Sequence, residues 1–443
     1  MNASERLSAL VDAGSYRDID GLEVDLSKEL KEETVRESDG VLSGTASVSG
    51  RRVVVFSQVQ SYRGGSIGKR HARRIRDAVV RALELHSPLI GFYDSGGARV
   101  QEGVASLAET AGVLKELVAA KGRIPQFAAV LGTVSGGAAY AASLADFLVM
   151  VQGKGRMFVW GPGSVKVETG RSVTAEELGG SSIHTKNGAV TVLSKSEDEA
   201  VDAVKHALNF MLRAEPRNPR KKRGSGGMPL IESLVDSGSF YELQGFYAAN
   251  VTTGLARLDG RGVGVVATNK GFLDVDASKK VTKFVAMCNA MNLPVITLLD
   301  TPGFYPSIDQ ERRGLIEASV QLATVYSKEH PLKVTVVTGE VYGGAFVFLA
   351  SKTMGVRRVY AFPKAKVSVL GLKHYVEVFV QKKVSNLRGA KRKEEFDRMV
   401  GEYAANMDPK VGVLMGYLDG VITQSELRRV VSRALVEPST PPA

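Results

Sequence analysis

The same passage occurs twice in this chain. SPLIGFYDSGGARVQEG (87–103) returns as LPVITLLDTPGFYPSIDQE (293–311), and AAVLGTVSGGAAYAAS (128–143) returns as VTVVTGEVYGGAFVFLAS (334–351). The spacing between matching positions hardly drifts. Pro88 to Pro294 and Asp94 to Asp300 are both 206 residues apart, Gly136 to Gly343 is 207, and Gly44 and Gly50 precede Gly254 and Gly260 by 210. Further upstream, LVDAGSY (10–16) matches LVDSGSF (234–240) at a spacing of 224. A period this long, held over so many anchors, marks two homologous domains and not a solenoid of short repeats. A chain of 443 residues also exceeds what one core usually serves and suits two domains of about 200 residues each.

Each copy carries two apolar runs that break into glycine. Leu89–Tyr93 runs into Asp94-Ser95-Gly96-Gly97, and Phe127–Leu131 runs into a stretch ending Ser135-Gly136-Gly137 before a run of alanines. Strand, glycine corner and small-residue helix together present bare backbone N–H groups at a helix N-terminus, where they can hold a developing negative charge. A single corner of this kind is common, but here a pair of them is duplicated.

Residues 4–36 read as helical with a break at Gly14-Ser15. From Val41 the pattern turns to strands, with Gly50 at a hairpin turn. Gly64-Gly65-Ser66-Ile67-Gly68 leads into a helix whose Ala72, Ile75, Val79, Ala82 and Leu83 recur at helical spacing between basic residues. Phe147–Val151 is a strand, and 152–190 is loop-rich, with a helix starting at Thr174 on an acidic first turn. Asp198–Leu212 closes the first half as an amphipathic helix. The Pro-, Gly- and cation-rich stretch 216–228 is the linker, which gives domains over 1–215 and 229–443, and the tail 386–437 is charged and helical.

The net charge of +11 fits either a basic surface with no specific partner or a polyanionic ligand, nucleic acid or a phosphate-rich small molecule. No zinc finger, helix-turn-helix or aromatic-basic strand pattern supports nucleic acid, so a nucleotide-bearing substrate is expected. No apolar run approaches the roughly 20 residues that span a bilayer, and the N-terminus lacks a signal-peptide pattern, so the expected location is the cytoplasm. The single Cys288 excludes an intrachain disulfide and a cysteine-cluster zinc site. With no His-Glu-x-x-His and no repeated carboxylate pattern, no metal is expected.

Serine hydrolysis would need Gly-x-Ser-x-Gly, which occurs at neither corner, and the second copy replaces Ser95 and Ser135 by Thr301 and Tyr342. A triad base would have to come from six scattered histidines, most of them expected at the surface or at caps. A dinucleotide fingerprint is not met by Gly153-Lys154-Gly155-Arg156. Backbone chemistry remains: two symmetry-related corners forming two anion holes on one cleft. A reaction with two oxyanions is carboxyl transfer between an acyl thioester and a urea-like carrier, which needs no strong side-chain base because the carrier nitrogen can take the α proton.

GGSIGKRHARRI (64–75), DSGGARVQEGV (94–104), SGGAAY (135–140), TAEELGG (174–180), LDVDAS (273–278), DTPGFYPSIDQE (300–311) and VYGGA (341–345) occur in this order over nearly the whole chain. In them the chain resembles the carboxyltransferase (beta) subunit of biotin-dependent acyl-CoA carboxylases, the acetyl/propionyl-CoA carboxylase type. The resemblance implies an α/β fold of two tandem crotonase-like domains. It implies that Gly136 and Gly137 hold the thioester enolate and that Gly344 and Ala345 hold the ureido oxygen of biotin. Gly96, Gly97 and Arg99, with Gly343, Phe346 and Val347, would line the substrate sites. Acyl-CoA would sit on the first domain and biotin on the second domain of a partner copy, so a homo-oligomer is expected, a dimer at least and commonly a hexamer. The chain has neither a Met-Lys-Met biotinylation motif nor an ATP-grasp region. Carboxybiotin is therefore expected on a separate carrier protein, with a biotin carboxylase subunit as partner.

Two departures stand out. Relatives often carry an acidic residue where this chain has Val347, and Lys373-His374-Tyr375 is bulkier and more polar than the family usually places there. Neutral drift and an altered acceptor both fit, and the acyl group stays open. Three rival functions differ in what they need. The carboxyltransferase component of a decarboxylase would run the transfer in reverse, whereas a non-catalytic assembly protein would show eroded corners. A hydratase or isomerase needs carboxylates beside the holes, and Glu340 is the nearest to the second pair.

Overall fold

The structure is a computed structural model describing residues 1–213 and 229–436; the expected linker 216–228 lies outside the described residues. The chain divides into two compact units, Met1–Met211 and Leu212–Ala443.

The first unit is built on an eight-stranded sheet. β1 (Arg17–Asp18), β2 (Val41–Val48) and β3 (Arg51–Gln58) are antiparallel neighbours, and β4 (Leu89–Ser95), β5 (Gln126–Ser135), β6 (Phe147–Val151) and β8 (Val192–Ser194) continue the sheet in parallel. β7 (Arg156–Phe158) pairs with the far end of β5. The hairpin turn falls at Ser49-Gly50, both at positive φ (51° and 74°), as the twist of a tight hairpin demands. Asp12 locks it, its carboxylate accepting from the amides of Ser49 (2.9 Å) and Gly50 (2.8 Å). Parallel strands under helices are buried on both faces, which is why β4 is an unbroken buried run. The helix Lys69–Glu84 buries Ala72, Ile75, Ala78, Val79 and Ala82 in this core, leaving Leu83 at its margin.

The second unit repeats the plan. Its sheet runs β9 (Tyr241–Leu243), β10 (Val251–Leu258), β11 (Arg261–Thr268), β12 (Val295–Thr301), β13 (Lys333–Tyr342), β14 (Arg358–Ala361) and β16 (Gly420–Val421), with β15 (Lys366–Ser368) on the end of β13. The duplication persists to single hydrogen bonds: Asp236, the match of Asp12, accepts from Asp259 (3.0 Å) and Gly260 (2.9 Å) in the second hairpin turn.

Three sequence expectations change. Within 4–36 only Ala3–Leu10 and Glu32–Glu37 are helical. Between them Gly14 and Gly21 turn at positive φ, and Asp18 accepts from the amides of Asp20 and Leu22, holding the backbone out of a helix. The stretch 152–190 contains β7 and three short helices, and Thr174 caps Ala175–Gly179 through a reciprocal bond with Glu177. The tail is helical over Gly389–Asn406, Pro409–Leu414 and Leu427–Ala434, but β16 interrupts it.

At matching places each unit buries a cation. Arg74 reaches Val41 O (3.2 Å), Asp18 (2.6 Å) and Asp20, whereas Lys280 Nζ donates to Tyr247 O and Val251 O (both 2.7 Å) and to Ala248 O (3.3 Å). Both clamp the entry to the hairpin on the following helix. Burial lowers the Lys280 ammonium to about 8, and Lys333 likewise to about 8. Between pH 8 and 9 the unfolded chain binds more protons at these two lysines, so the stability of the second unit should rise with pH there, before the raised Cys288 thiol and buried tyrosines of the same unit oppose the rise. Thermal melts across that window should show the rise. Lys280→Met should roughly halve the slope and cost about 1–3 kcal/mol through the stranded carbonyls; a flat wild-type profile would contradict it.

Candidate functional site

β4 slips register against β5 between Tyr93 and Ser95, which places Asp94 on a bulge. Its carboxylate lies over Gly132 so closely that a Cβ there has no room. Past the bulge, the amides of the corner are spent one by one. Gly96 N–H donates to Gly64 O (3.1 Å), Gly97 N–H to Ser95 Oγ (3.2 Å), and Arg99 N–H to Ile67 O (2.9 Å), while Ile67 N–H donates to Gly97 O (2.8 Å). Ile67 and Ala98 thus form a parallel bridge, in which the residue between the two bonds directs its own N–H away from the partner. Ala98 N–H is the amide left over.

The neighbouring corner works the same way. Gly136 (φ 56°, ψ −126°) caps the helix Gly137–Ser143 and donates its N–H to Phe158 O (3.1 Å). Gly137 is the first helical residue, where no intrahelical carbonyl is available, and its N–H makes no hydrogen bond among the described residues. Ser95 pairs with Val134, and a Cβ on Gly97 would sit 2.9 Å from Ser135 O, so the two corners are in contact at the C-terminal ends of β4 and β5.

The second unit repeats this accounting. Leu273 N–H donates to Gly303 O (2.9 Å) and Tyr305 N–H to Leu273 O (3.0 Å), leaving Phe304 N–H over. Gly343 (φ 54°, ψ −131°) donates to Ser368 O (3.1 Å), and Gly344 opens the helix Gly344–Leu349. Of the residues singled out from sequence, Gly137 and Gly344 therefore hold the equivalent spare amides. Gly136 and Gly343 are hinges whose own N–H groups are occupied, and Ala345 lies buried one step into the helix. Phe346 is half-buried and Val347 exposed. Sequence reasoning missed the amides of Ala98 and Phe304, because the bridges that aim them come from Ile67 and Leu273, far away in the chain.

Side chains around the first corner support it. Ser135 Oγ–H donates to Gly96 O (2.7 Å). Arg99 offers no free cation: its guanidinium meets Asp39 (2.7 Å), Glu102 (2.7 Å) and Ser66 O (2.9 Å), so it fastens the corner to the preceding loop. His71 is fully buried, an exception among histidines that are otherwise mostly exposed, as expected. Its Nδ1–H donates to Asp39 O (3.0 Å) and its Nε2 accepts from Gln58 (3.1 Å), whose Oε1 takes the Asp94 amide (3.0 Å). Burial pushes this imidazole down to about 4, so it is neutral. In the second unit Lys373 and His374 are exposed, and Tyr375 stacks on Tyr403 with ring centroids 3.8 Å apart.

The carboxyl transferase domain matches residues 1–439. The chain belongs to the carboxyl transferase family. It is 37% identical over 466 residues to the propionyl-CoA carboxylase beta chain of Cereibacter sphaeroides, covering 98% of this chain and 90% of the relative. It is 33% identical to the methylmalonyl-CoA decarboxylase subunit alpha of Veillonella parvula, covering 98% and 89%. Among solved structures, transcarboxylase 12S, described as a hexamer and with methylmalonyl-coenzyme A bound, superposes with a TM-score of 0.86 at 31% identity over 100% of this chain and 91% of its own. The tandem crotonase-like α/β fold expected from the sequence is the fold of this carboxyltransferase.

At Gly137 a Cβ would overlap Thr110 Cγ2. Gly137→Ala should cost about 1–3 kcal/mol by overpacking, and Thr110→Ser, which removes that methyl, should restore most of it. Denaturant melts of the single and double variants check this; equal stabilities would mean that Val104–Ala120 does not press on the corner.

Proposed function

We propose that the protein is the carboxyltransferase subunit of a biotin-dependent acyl-CoA carboxylase, moving a carboxyl group from carboxybiotin to the α carbon of an acyl-CoA. The observation that carries this is the duplicated pair of spare amides. Ala98 and Gly137 hold the enolate oxygen of the thioester, and Phe304 and Gly344 suit the ureido oxygen of biotin, since two N–H donors at adjoining corners fit a carbonyl that gains charge. Each such donor is worth about 10²–10³ in rate. Biotin, on a separate carrier served by a biotin carboxylase subunit, supplies the carboxyl group and a nitrogen to take the α proton. The chain's own part is to bind, to orient and to hold charge.

Acyl-CoA belongs on the first unit. A recess of about 560 Å³ there is lined by seven cations and four carboxylates. Arg99 and Arg74 take Asp39, Glu102 and Asp20, whereas Arg36, Arg63, Lys69 and Arg70 have no carboxylate within ion-pair distance among the described residues. That surplus suits the phosphates of coenzyme A, and Arg99 joins the recess to the corner. We place the enzyme in the cytoplasm as a homo-oligomer, with the hexamer of transcarboxylase 12S as the expected assembly. Among the described residues no helix is long and apolar enough to cross a membrane, and no cluster of metal-ligating side chains occurs.

The decarboxylase relatives favour a second reading, in which the same corners remove the carboxyl group from an acyl-CoA. Incubation with free biotin and malonyl-CoA, methylmalonyl-CoA or longer carboxylated thioesters should give biotin-dependent decarboxylation with at least one. No turnover across the panel from a folded oligomer would overturn the carboxyltransferase reading. The membrane-embedded or ATP-dependent nature of a co-purified partner separates the two directions.

Lys69→Glu with Arg70→Glu should raise KM for the preferred CoA thioester about tenfold, equivalent to 1.4 kcal/mol, and leave KM for its pantetheine thioester unchanged. Equal shifts in both, or none, would remove the recess from the CoA site.

A further inference from the structure

The second corner rests on a strap, residues 368–371. Ser368 O takes the Gly343 amide (3.1 Å), Val369 O lies 3.2 Å from where a Gly343 Cβ would be, and a Cβ on Gly371 would stand 3.0 Å from the Tyr342 ring. The strap therefore sets the direction of the Gly343–Gly344 peptide. One hydroxyl gathers three of its polar groups. Ser368 Oγ–H (2.8 Å) and Leu370 N–H (3.0 Å) donate to Tyr403 Oη, whose own proton goes to Leu370 O (2.8 Å). One bond donated and two accepted saturate a phenol. Its ring is fixed by the Tyr375 stack, with an interplanar angle of 6°, and Val367 N–H is tied to Met407 O (3.0 Å) just past the same helix, Gly389–Asn406. In the first unit it is the strand leading into the corresponding segment, 158–161, that is held. There Arg156 bridges to Gly180, and His184 Nε2 lies 2.6 Å from Met157 O. Its described helices between β7 and β8 are no longer than eight residues.

We propose that Tyr403 is a positioning residue for the second corner: through Ser368 and Leu370 it holds the strap that aims the Gly344 amide, and so tunes capture of the ureido oxygen. The proposal rests on the reading that the second unit takes biotin. Tyr403→Phe keeps the ring stack and removes the hydroxyl. In the free-biotin assay kcat/KM for biotin should fall about tenfold while KM for the acyl-CoA stays within about twofold. Ser368→Ala should act in the same direction, and the double variant should be no worse than Tyr403→Phe alone, because both work through one strap. Hydrogen exchange of the amides over 343–346 reads the strap without any assay: Tyr403→Phe should speed it there and leave 136–139 unchanged. Unchanged exchange, or equal losses toward biotin and acyl-CoA, would overturn the positioning role. Faster exchange with biotin kinetics unaltered would keep the strap but overturn the assignment of biotin to this unit.

Discussion

A helix that must begin at the very end of a strand forces one residue through backbone space that side chains cannot enter. Gly136 and Gly343 pass through it at nearly the same angles, φ near 55° and ψ near −130°. Only glycine reaches this mirror of the β region without a Cβ clash. The consequence is directional. The hinge residue turns its amide back to the carbonyl of β7 or β15, and the next amide, at Gly137 or Gly344, faces the opposite way with no helical acceptor. Everything else at the corners serves to keep that second amide aimed.

The two units meet this constraint with different side chains. The bulge amide of Asp94 is held by Gln58, and that of Asp300 by Thr268 (2.6 Å). The Asp94 carboxylate is taken by Arg6 (3.0 Å), whereas Asp300 accepts the amide of Glu340 (3.0 Å). Arg74 is matched by Lys280. What the duplication preserved is backbone geometry. The supports diverged because any group that fixes the amide direction serves equally.

That division explains what could be read from the chain. The repeat, the hairpin at Gly50, the Thr174 cap and the glycine corners are local patterns, carried by residues whose conformational demands are visible one at a time. The segment between Gly14 and Lys31 carries helix-compatible composition, yet Asp18 captures the neighbouring amides and β1 docks on β2, a tertiary gain that periodicity does not encode. Arg99 reads as a substrate cation beside Gly97 because its partner Asp39 lies 60 residues away. The spare amides of Ala98 and Phe304 were hidden for the same reason. An amide is available only when every competing acceptor has been assigned, and those acceptors come from another part of the fold.

A site made of amides also behaves unlike one made of acids and bases. An N–H donor has no protonation state to lose, so its charge on an oxyanion is constant across physiological pH. Two titratable groups next to the first corner, His71 and Arg99, are locked away from that range. Burial keeps His71 neutral, and Arg99 is held charged: burial opposes its charge, but the bonds to Asp39 and Glu102 outweigh it. The scaffold thus removes its own ionisations from the chemistry. In the proposed function proton transfer falls to the substrate carbon and the carrier nitrogen, the division of labour expected where a protein supplies orientation and a fixed field and the cofactor supplies the reactive atom.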